Sequence, residues 1–232
     1  MANIQTRLAA VRARLAEAES RFGRAPGSVR LLAVSKTRPA SDLREALAAG
    51  QTRFGESYLQ EALEKLHALR KETAEWHFIG PLQSNKTKDI AAHFDWVHSL
   101  DRIKLAERLN AQRPAGCAPL QVCLQVNISG EASKSGASPS AVRELALRVA
   151  ELPRLQLRGL MAVPRPETEF ERQRAPLREL RMLAAKLQAE GIPLDTLSMG
   201  MSDDLEAAVA EGSTLVRIGT AIFGARPERG GN

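Results

Sequence analysis

The sequence predicts a (β/α)8 TIM barrel with an extra N-terminal helix. Three observations predict it. Short apolar runs rich in β-branched residues alternate with stretches of helical period along the whole chain. Eight such strands can be placed, and few residues remain outside the alternation. The length, 232 residues, suits one barrel, which commonly takes about 200–250 residues. An open doubly wound sheet is the competing architecture. It lacks support because neither GxGxxG nor GxxxxGK[ST] occurs at a strand–helix junction.

The elements follow in order. Ile4, Leu8, Val11 and Leu15 recur at helical spacing, predicting a helix over residues 4–22 that covers one end of the barrel. RLLAVSK (30–36) is the first strand. Ser41 caps a helix that stops at Gly50, and TRFGES (52–57) is the second strand, followed by a helix to Arg70. EWHFIG (75–80) is the third strand, residues 85–93 a short helix and DWVHSL (95–100) the fourth strand. Asp101 caps a helix to Gln112. LQVCLQVNIS (120–129) is the fifth strand, and Pro139 opens a helix that ends before Pro153. LQLRGLMAVP (155–164) is the sixth strand, with a helix over 167–190 closed by Gly191. DTLSMG (195–200) is the seventh, Asp203 and Asp204 start a helix to Gly212, and TLVRIGTAIFG (214–224) is the eighth. The expectation is one domain over 1–232 with a frayed Gly-rich tail.

Composition narrows the function. Apolar residues make up 44 % and charged residues 26 % of the chain, which is enough for a full-sized core. The net charge of +6 is spread along helices among glutamates. Basic residues form no long block, and nine aromatics offer little to stack on bases, so nucleic acid is not expected as a partner. Cys117 and Cys123 have neither CxxC nor metal spacing. No stretch reaches the roughly 20 apolar residues of a membrane span, and the N-terminal segment lacks an apolar signal core. A cytoplasmic protein is expected.

Active sites of such barrels lie at the C-terminal ends of the strands. Lys36 ends the first strand there with an apolar stem behind it. Partial desolvation would make its amine a nucleophile toward aldehydes, although a solvated lysine would fit the same position. A second feature lies across the barrel seam. Gly200, Met201 and Ser202 leave the seventh strand, and Gly219 and Thr220 lie on the eighth. Loops after these strands often bind phosphate in barrels. Gly219 admits a close backbone N–H, and the Ser202 and Thr220 hydroxyls can donate. Asp203 and Asp204 would oppose an anion, so they are expected to face outward or cap the helix. The eighth strand closes onto the first, so lysine and cradle face one cavity that suits a phosphorylated aldehyde. Arg217 shares the side of Gly219. It could meet the ring nitrogen of pyridoxal 5′-phosphate and keep it unprotonated, or pair with a core carboxylate. His77 either lines the pocket or is a satisfied core histidine, and Met161 packs near the ring or fills the core. The run Gln83–Lys86 and the segment 129–136 with Lys134 are polar and have loop character.

The motifs AVSKT (33–37), FGESYLQEALEK (54–65), WHFIGPLQSNK (76–86), VNISGEASKSG (126–136), GLMAVP (159–164), LSMGMSDDLEAA (197–208) and VRIGTAIFG (216–224) resemble those of the YggS/PROSC pyridoxal phosphate homeostasis family. The resemblance covers residues 5–226. It implies a Schiff base at Lys36, phosphate contacts from Ser202, Gly219 and Thr220, and an arginine near the ring at Arg217. The ending also resembles the barrel domain of alanine racemase. Ser57 stands where the family usually has asparagine, and a shorter side chain there would reach the cofactor through water.

Two functions then compete: a non-catalytic carrier of pyridoxal 5′-phosphate serving vitamin B6 homeostasis, and an amino-acid racemase. A two-base racemase needs a second acid/base on the opposite ring face, and the one tyrosine, Tyr58, sits early in a helix. The carrier is favoured. It is expected to be a monomer, with apo pyridoxal-phosphate enzymes as transient acceptors.

Overall fold

The computed structural model describes residues 3–131 and 135–225. Lys134 lies outside the described residues. Helix α1 (Ile4–Arg21) is followed by β1 (Arg30–Val34), α2 (Ala40–Ala48), β2 (Arg53–Glu56), α3 (Leu59–Ala68), β3 (Glu75–Phe78), α4 (Thr87–His93) and β4 (Trp96–Leu100). Then come α5 (Ile103–Gln112), β5 (Leu120–Gln125), α6 (Val142–Ala150), β6 (Leu155–Met161), α7 (Phe170–Ala189), β7 (Thr196–Ser198), α8 (Leu205–Ala210), β8 (Leu215–Ile218) and α9 (Thr220–Phe223). The eight strands are parallel and close in sequence order into a barrel. Closure is made by β1 on β8, with Leu32 opposite Arg217 and Ala33 opposite Ile218. That register brings residue 36 and residues 219–220 to the same end of the seam.

The strands are short apolar runs buried on both faces, as a helix-covered parallel sheet requires. All five residues of β4 and all four of β8 are buried. The helices turn leucines and alanines inward: Leu8, Leu43, Ala62, Leu105, Leu145 and Leu180 all join the core. Asn3 caps α1 by accepting the Thr6 N–H at 2.8 Å. Helix α1 packs against α2, α8 and α9, the helices flanking the β1–β8 seam. It therefore completes the helical layer there instead of covering one end of the barrel.

Several boundaries differ from the sequence reading. The first strand stops at Val34, and Lys36 falls in the turn beyond it. The eighth strand stops at Ile218. Gly219 ends it, and TAIF forms α9, whose β-branched content had suggested a longer strand. Ser41 and Asp101 are not caps: Pro39 and Arg102 hold those positions. Helix α6 starts at Val142, after a turn that begins near Pro139.

Candidate cofactor site at the barrel mouth

A cavity of about 450 Å³ opens at the C-terminal end of the barrel, against the β1–β8 seam. Lys36, Ser57, Met161 and Met201 line it, together with Ser202, Arg217, Gly219 and Thr220. Sequence reasoning missed Val34, Arg38, Ile79 and Val163, which also line it. Spacing by two carried a signal for Val34, two residues before Lys36, for Ile79, two beyond His77, and for Val163, two beyond Met161.

Lys36 is held by a buried polar bracket. The Lys65 ammonium donates to the Ser35 carbonyl and to Glu56 Oε1, each at 2.7 Å, and also to Glu61. The Ser35 hydroxyl donates to Glu56 Oε1 at 2.6 Å. Burial pushes the Glu56 carboxyl up, and the Lys65 charge and hydrogen bond oppose it. Thr37 takes φ +65°, a left-handed conformation that costs a β-branched residue on the order of 1–3 kcal/mol. Its N–H donates to Glu61 Oε1 at 2.5 Å, which offsets that strain. Glu56, Glu61 and Lys65 thus fix the turn that carries Lys36. The i,i+4 spacing of Glu61 and Lys65 was the only sequence sign of this bracket.

The opposite wall comes from the β7 and β8 loops. Gly200 has φ +99°, and its carbonyl accepts the Arg217 N–H at 2.9 Å. A Cβ on it would come within 2.5 Å of the Ala208 Cβ. Gly200 shapes the turn and does not line the cavity, a correction to its expected place. Asp204 holds the N-cap position of α8, and its side chain turns back to accept the Met201 N–H at 2.6 Å. Asp203, by contrast, is exposed on the cavity rim. The Ser202 carbonyl accepts from Arg14 of α1 at 2.8 Å. A Cβ at Gly219 would stand 3.2 Å from the Val34 carbonyl oxygen, so glycine keeps the seam close-packed where the chain enters α9. Arg38 donates to the carbonyls of Gly224 and Ala225 at 2.5 and 2.6 Å, tying the segment after α9 to the mouth.

Arg217 forms the floor. Its Nη1 donates to the Ser198 carbonyl at 2.5 Å and to Ser198 Oγ at 2.9 Å, and Nη2 to the Ala162 carbonyl at 2.9 Å. Among the described residues no carboxylate pairs with it, so the expected alternative of a core ion pair is not formed. Burial pulls its pKa down to about 10. A buried cation exposed to a cavity favours an electron-rich acceptor placed against it.

His77 does not line the cavity. It lies one layer deeper, fully buried, with its ring nitrogens bonded to Glu75 and His98. It is a satisfied core histidine, the second of the two readings its pattern allowed. Ser84–Lys86 form a short 3-10 turn outside the cavity, with Gln83 extended just before it.

The donor set fits a phosphorylated aldehyde with a basic ring nitrogen. It supplies an amine at Lys36, a buried guanidinium at Arg217, and a Gly219 that a larger residue would crowd. The fold and this cavity define a class. Residues 6–227 match the alanine racemase N-terminal domain family. The chain is 59 % identical to the pyridoxal phosphate homeostasis protein of Pseudomonas aeruginosa over 97 % of each chain. It is 55 % identical to that of Escherichia coli K12, over 97 % of this chain and 98 % of the relative. The chain belongs to the pyridoxal phosphate homeostasis protein family. PipY of Synechococcus elongatus PCC7942, solved with PLP bound, superimposes with a TM-score of 0.83 at 39 % identity, over 96 % of this chain and all of that one. Alanine racemase of Corynebacterium glutamicum shares only the fold, at TM-score 0.69 and 16 % identity over 97 % of this chain and 63 % of that one.

Proposed function

We propose that this protein binds pyridoxal 5′-phosphate in the mouth cavity and serves vitamin B6 homeostasis as a carrier of the cofactor. The observation that carries this reading is the convergence of Lys36 with Ser202, Gly219 and Thr220 on one cavity. The PipY structure with PLP bound and the names of the homeostasis relatives support it.

In this reading the Lys36 amine is the group that would hold the cofactor covalently through its aldehyde, with loss of water. Ser202, Gly219 and Thr220 receive the phosphate. No described residue accepts from the Thr220 or Ala221 N–H, so both can donate to the phosphate. Arg217 would donate toward the ring nitrogen, Met161 and Met201 would flank the ring, and Ser57 would reach it through water. Bound pyridoxal phosphate supplies an electron sink, and the buried Arg217 charge weakens that sink by disfavouring a protonated ring.

We assign a carrier and not a racemase because the one carboxylate that lines the cavity among the described residues, Asp203, is exposed on the rim. The titratable side chains of the cavity among the described residues are Lys36, Arg38, Asp203 and Arg217. Tyr58 is 44 % exposed and lies outside the lining. We place the protein in the cytoplasm, where free thiols such as Cys117 and Cys123 stay reduced, as a monomer delivering cofactor to apo-enzymes.

Borohydride reduction of the loaded protein followed by peptide mapping is expected to mark Lys36. Lys36→Ala is expected to lose the visible absorbance and slow cofactor transfer to an apo-enzyme. Retained absorbance overturns the assignment. Robust α-proton exchange from an amino acid into solvent overturns the carrier reading.

A further inference from the structure

Glu75, His77, His98, Ser198 and Arg217 form one hydrogen-bonded column through the barrel interior. Glu75 Oε1 lies 2.7 Å from His77 Nε2, and His77 Nδ1 lies 2.8 Å from His98 Nε2. His98 Nδ1 lies 2.7 Å from Ser198 Oγ, which lies 2.9 Å from Arg217 Nη1. Both histidines and Ser198 are fully buried. Glu75 lines a second cavity, of about 560 Å³, at the opposite end of the barrel, while Arg217 lines the mouth. The column therefore joins two solvent-facing cavities through the barrel interior.

Its hydrogen bonds can run only one way. Glu75 is held ionised by the hydrogen bond from His77, so it only accepts. Burial keeps both imidazoles neutral, with pKa values below the usual histidine range. A neutral imidazole has one N–H, and His77 must spend it at Nε2 on Glu75. His77 Nδ1 then accepts from His98 Nε2–H, His98 Nδ1 accepts the Ser198 hydroxyl, and Ser198 Oγ accepts from Arg217. Every dipole points its negative end toward the guanidinium, and chains aligned in this way reinforce each other.

We propose that His77 and His98 are positioning residues for the cofactor cavity, holding Arg217 through Ser198 in one orientation and loosening it when the imidazole pair takes up one proton. This rests on the reading that the cavity takes pyridoxal phosphate with Arg217 at its ring nitrogen. A doubly protonated His77 donates from both nitrogens, so His98 must accept at Nε2 and carry its proton on Nδ1. His98 then donates to Ser198, whose hydroxyl hydrogen turns away, and the row of dipoles that had turned its negative end toward the Arg217 guanidinium is reversed.

Burial opposes that uptake at both rings; among the charges, Glu75 and Asp95 favour it at His77 against Arg30, whereas Arg217 and Arg30 oppose it at His98. At the base Arg30 of β1, Arg53 of β2 and Arg158 of β6 face the carboxylates of Glu75, Asp95 and Asp195. Near Arg217 stand Asp204 and Cys123, the latter neutral because burial pushes its thiol up to about 12.

The test uses the full chain. Nitrogen-15 spectra of the unloaded protein are expected to show both imidazoles neutral with the hydrogen on Nε2. Ser198→Ala and His98→Phe are expected to weaken pyridoxal phosphate binding about tenfold and to displace its visible band. His98→Asn, which keeps an acceptor toward Ser198, is expected to recover most of both. Titration from acid to neutral pH is expected to strengthen binding in the parent and to have less effect in His98→Phe. Unchanged affinity and band in Ser198→Ala, or imidazoles with the hydrogen on Nδ1, overturn the proposal. Should His98→Phe not fold, Ser198→Ala decides it. A parent chain that gives no visible band overturns the cofactor reading instead, and the nitrogen spectra then judge the column alone.

Discussion

A methyl group added at Gly159 would lie 1.7 Å from the Thr196 carbonyl oxygen on the neighbouring strand. Backbone cannot yield there without parting β6 from β7, which pair at this point. Gly159→Ala is therefore expected to cost more than about 2 kcal/mol, read as a fall in urea midpoint. An unchanged midpoint would mean that the strands part freely. At this scale Lys36, Arg217 and Gly219 were legible, because strand parity and the seam between first and last strands place them without coordinates. The bracket of Glu56, Glu61 and Lys65 was not legible. Its members act on the Lys36 turn through backbone carbonyls and N–H groups, and no sequence spacing records those.

Helix α1 bears on the site through Arg14, which makes a bidentate pair with Glu206 of α8, at 2.6 and 2.5 Å, besides its bond to the Ser202 carbonyl. The hydrogen bond from Arg14 draws the Glu206 carboxyl down. A depressed carboxyl stabilises above its unfolded pKa, about 4.3, and that contribution fades as the pH falls through the folded value. Both side chains are about one-third exposed, so Arg14→Ala is expected to cost no more than about 1 kcal/mol. It should nonetheless weaken cofactor binding, because the Ser202 loop loses its tie. Equal affinity in Arg14→Ala by equilibrium titration would show that the loop holds itself. Element order was readable from periodicity, but the end of β8 was not. Thr220, Ile222 and Phe223 favour a strand locally, and Ile222 and Phe223 are instead buried in a short helix packed on α1.

Across the whole barrel, the two buried imidazoles dictate the acid response. Burial lowers the pKa of both His77 and His98. The unfolded chain binds protons near the ordinary histidine value, about 6.5, where the folded chain refuses them. Stability is thus fully present above that value and declines as the pH falls below it toward the folded pKa values. The melting temperature is expected to drop between pH 7.5 and 5.5, and to drop less in His98→Phe. A flat profile in the parent would mean the imidazoles are solvated. The closed barrel itself was legible from the eightfold alternation. The column was not, because it needs His98 and Ser198, one hundred positions apart, to meet across an interior whose layering the sequence leaves open.

The pairing of β1 with β8 also sets a timetable. Lys36 and Arg217 cannot share a cavity until the last strand of the ring docks on the first, the strand pairing of longest sequence separation and so the slowest of them to form. Onset of cofactor absorbance during refolding should then trail recovery of helical circular dichroism, making the bound vitamin a clock for ring closure.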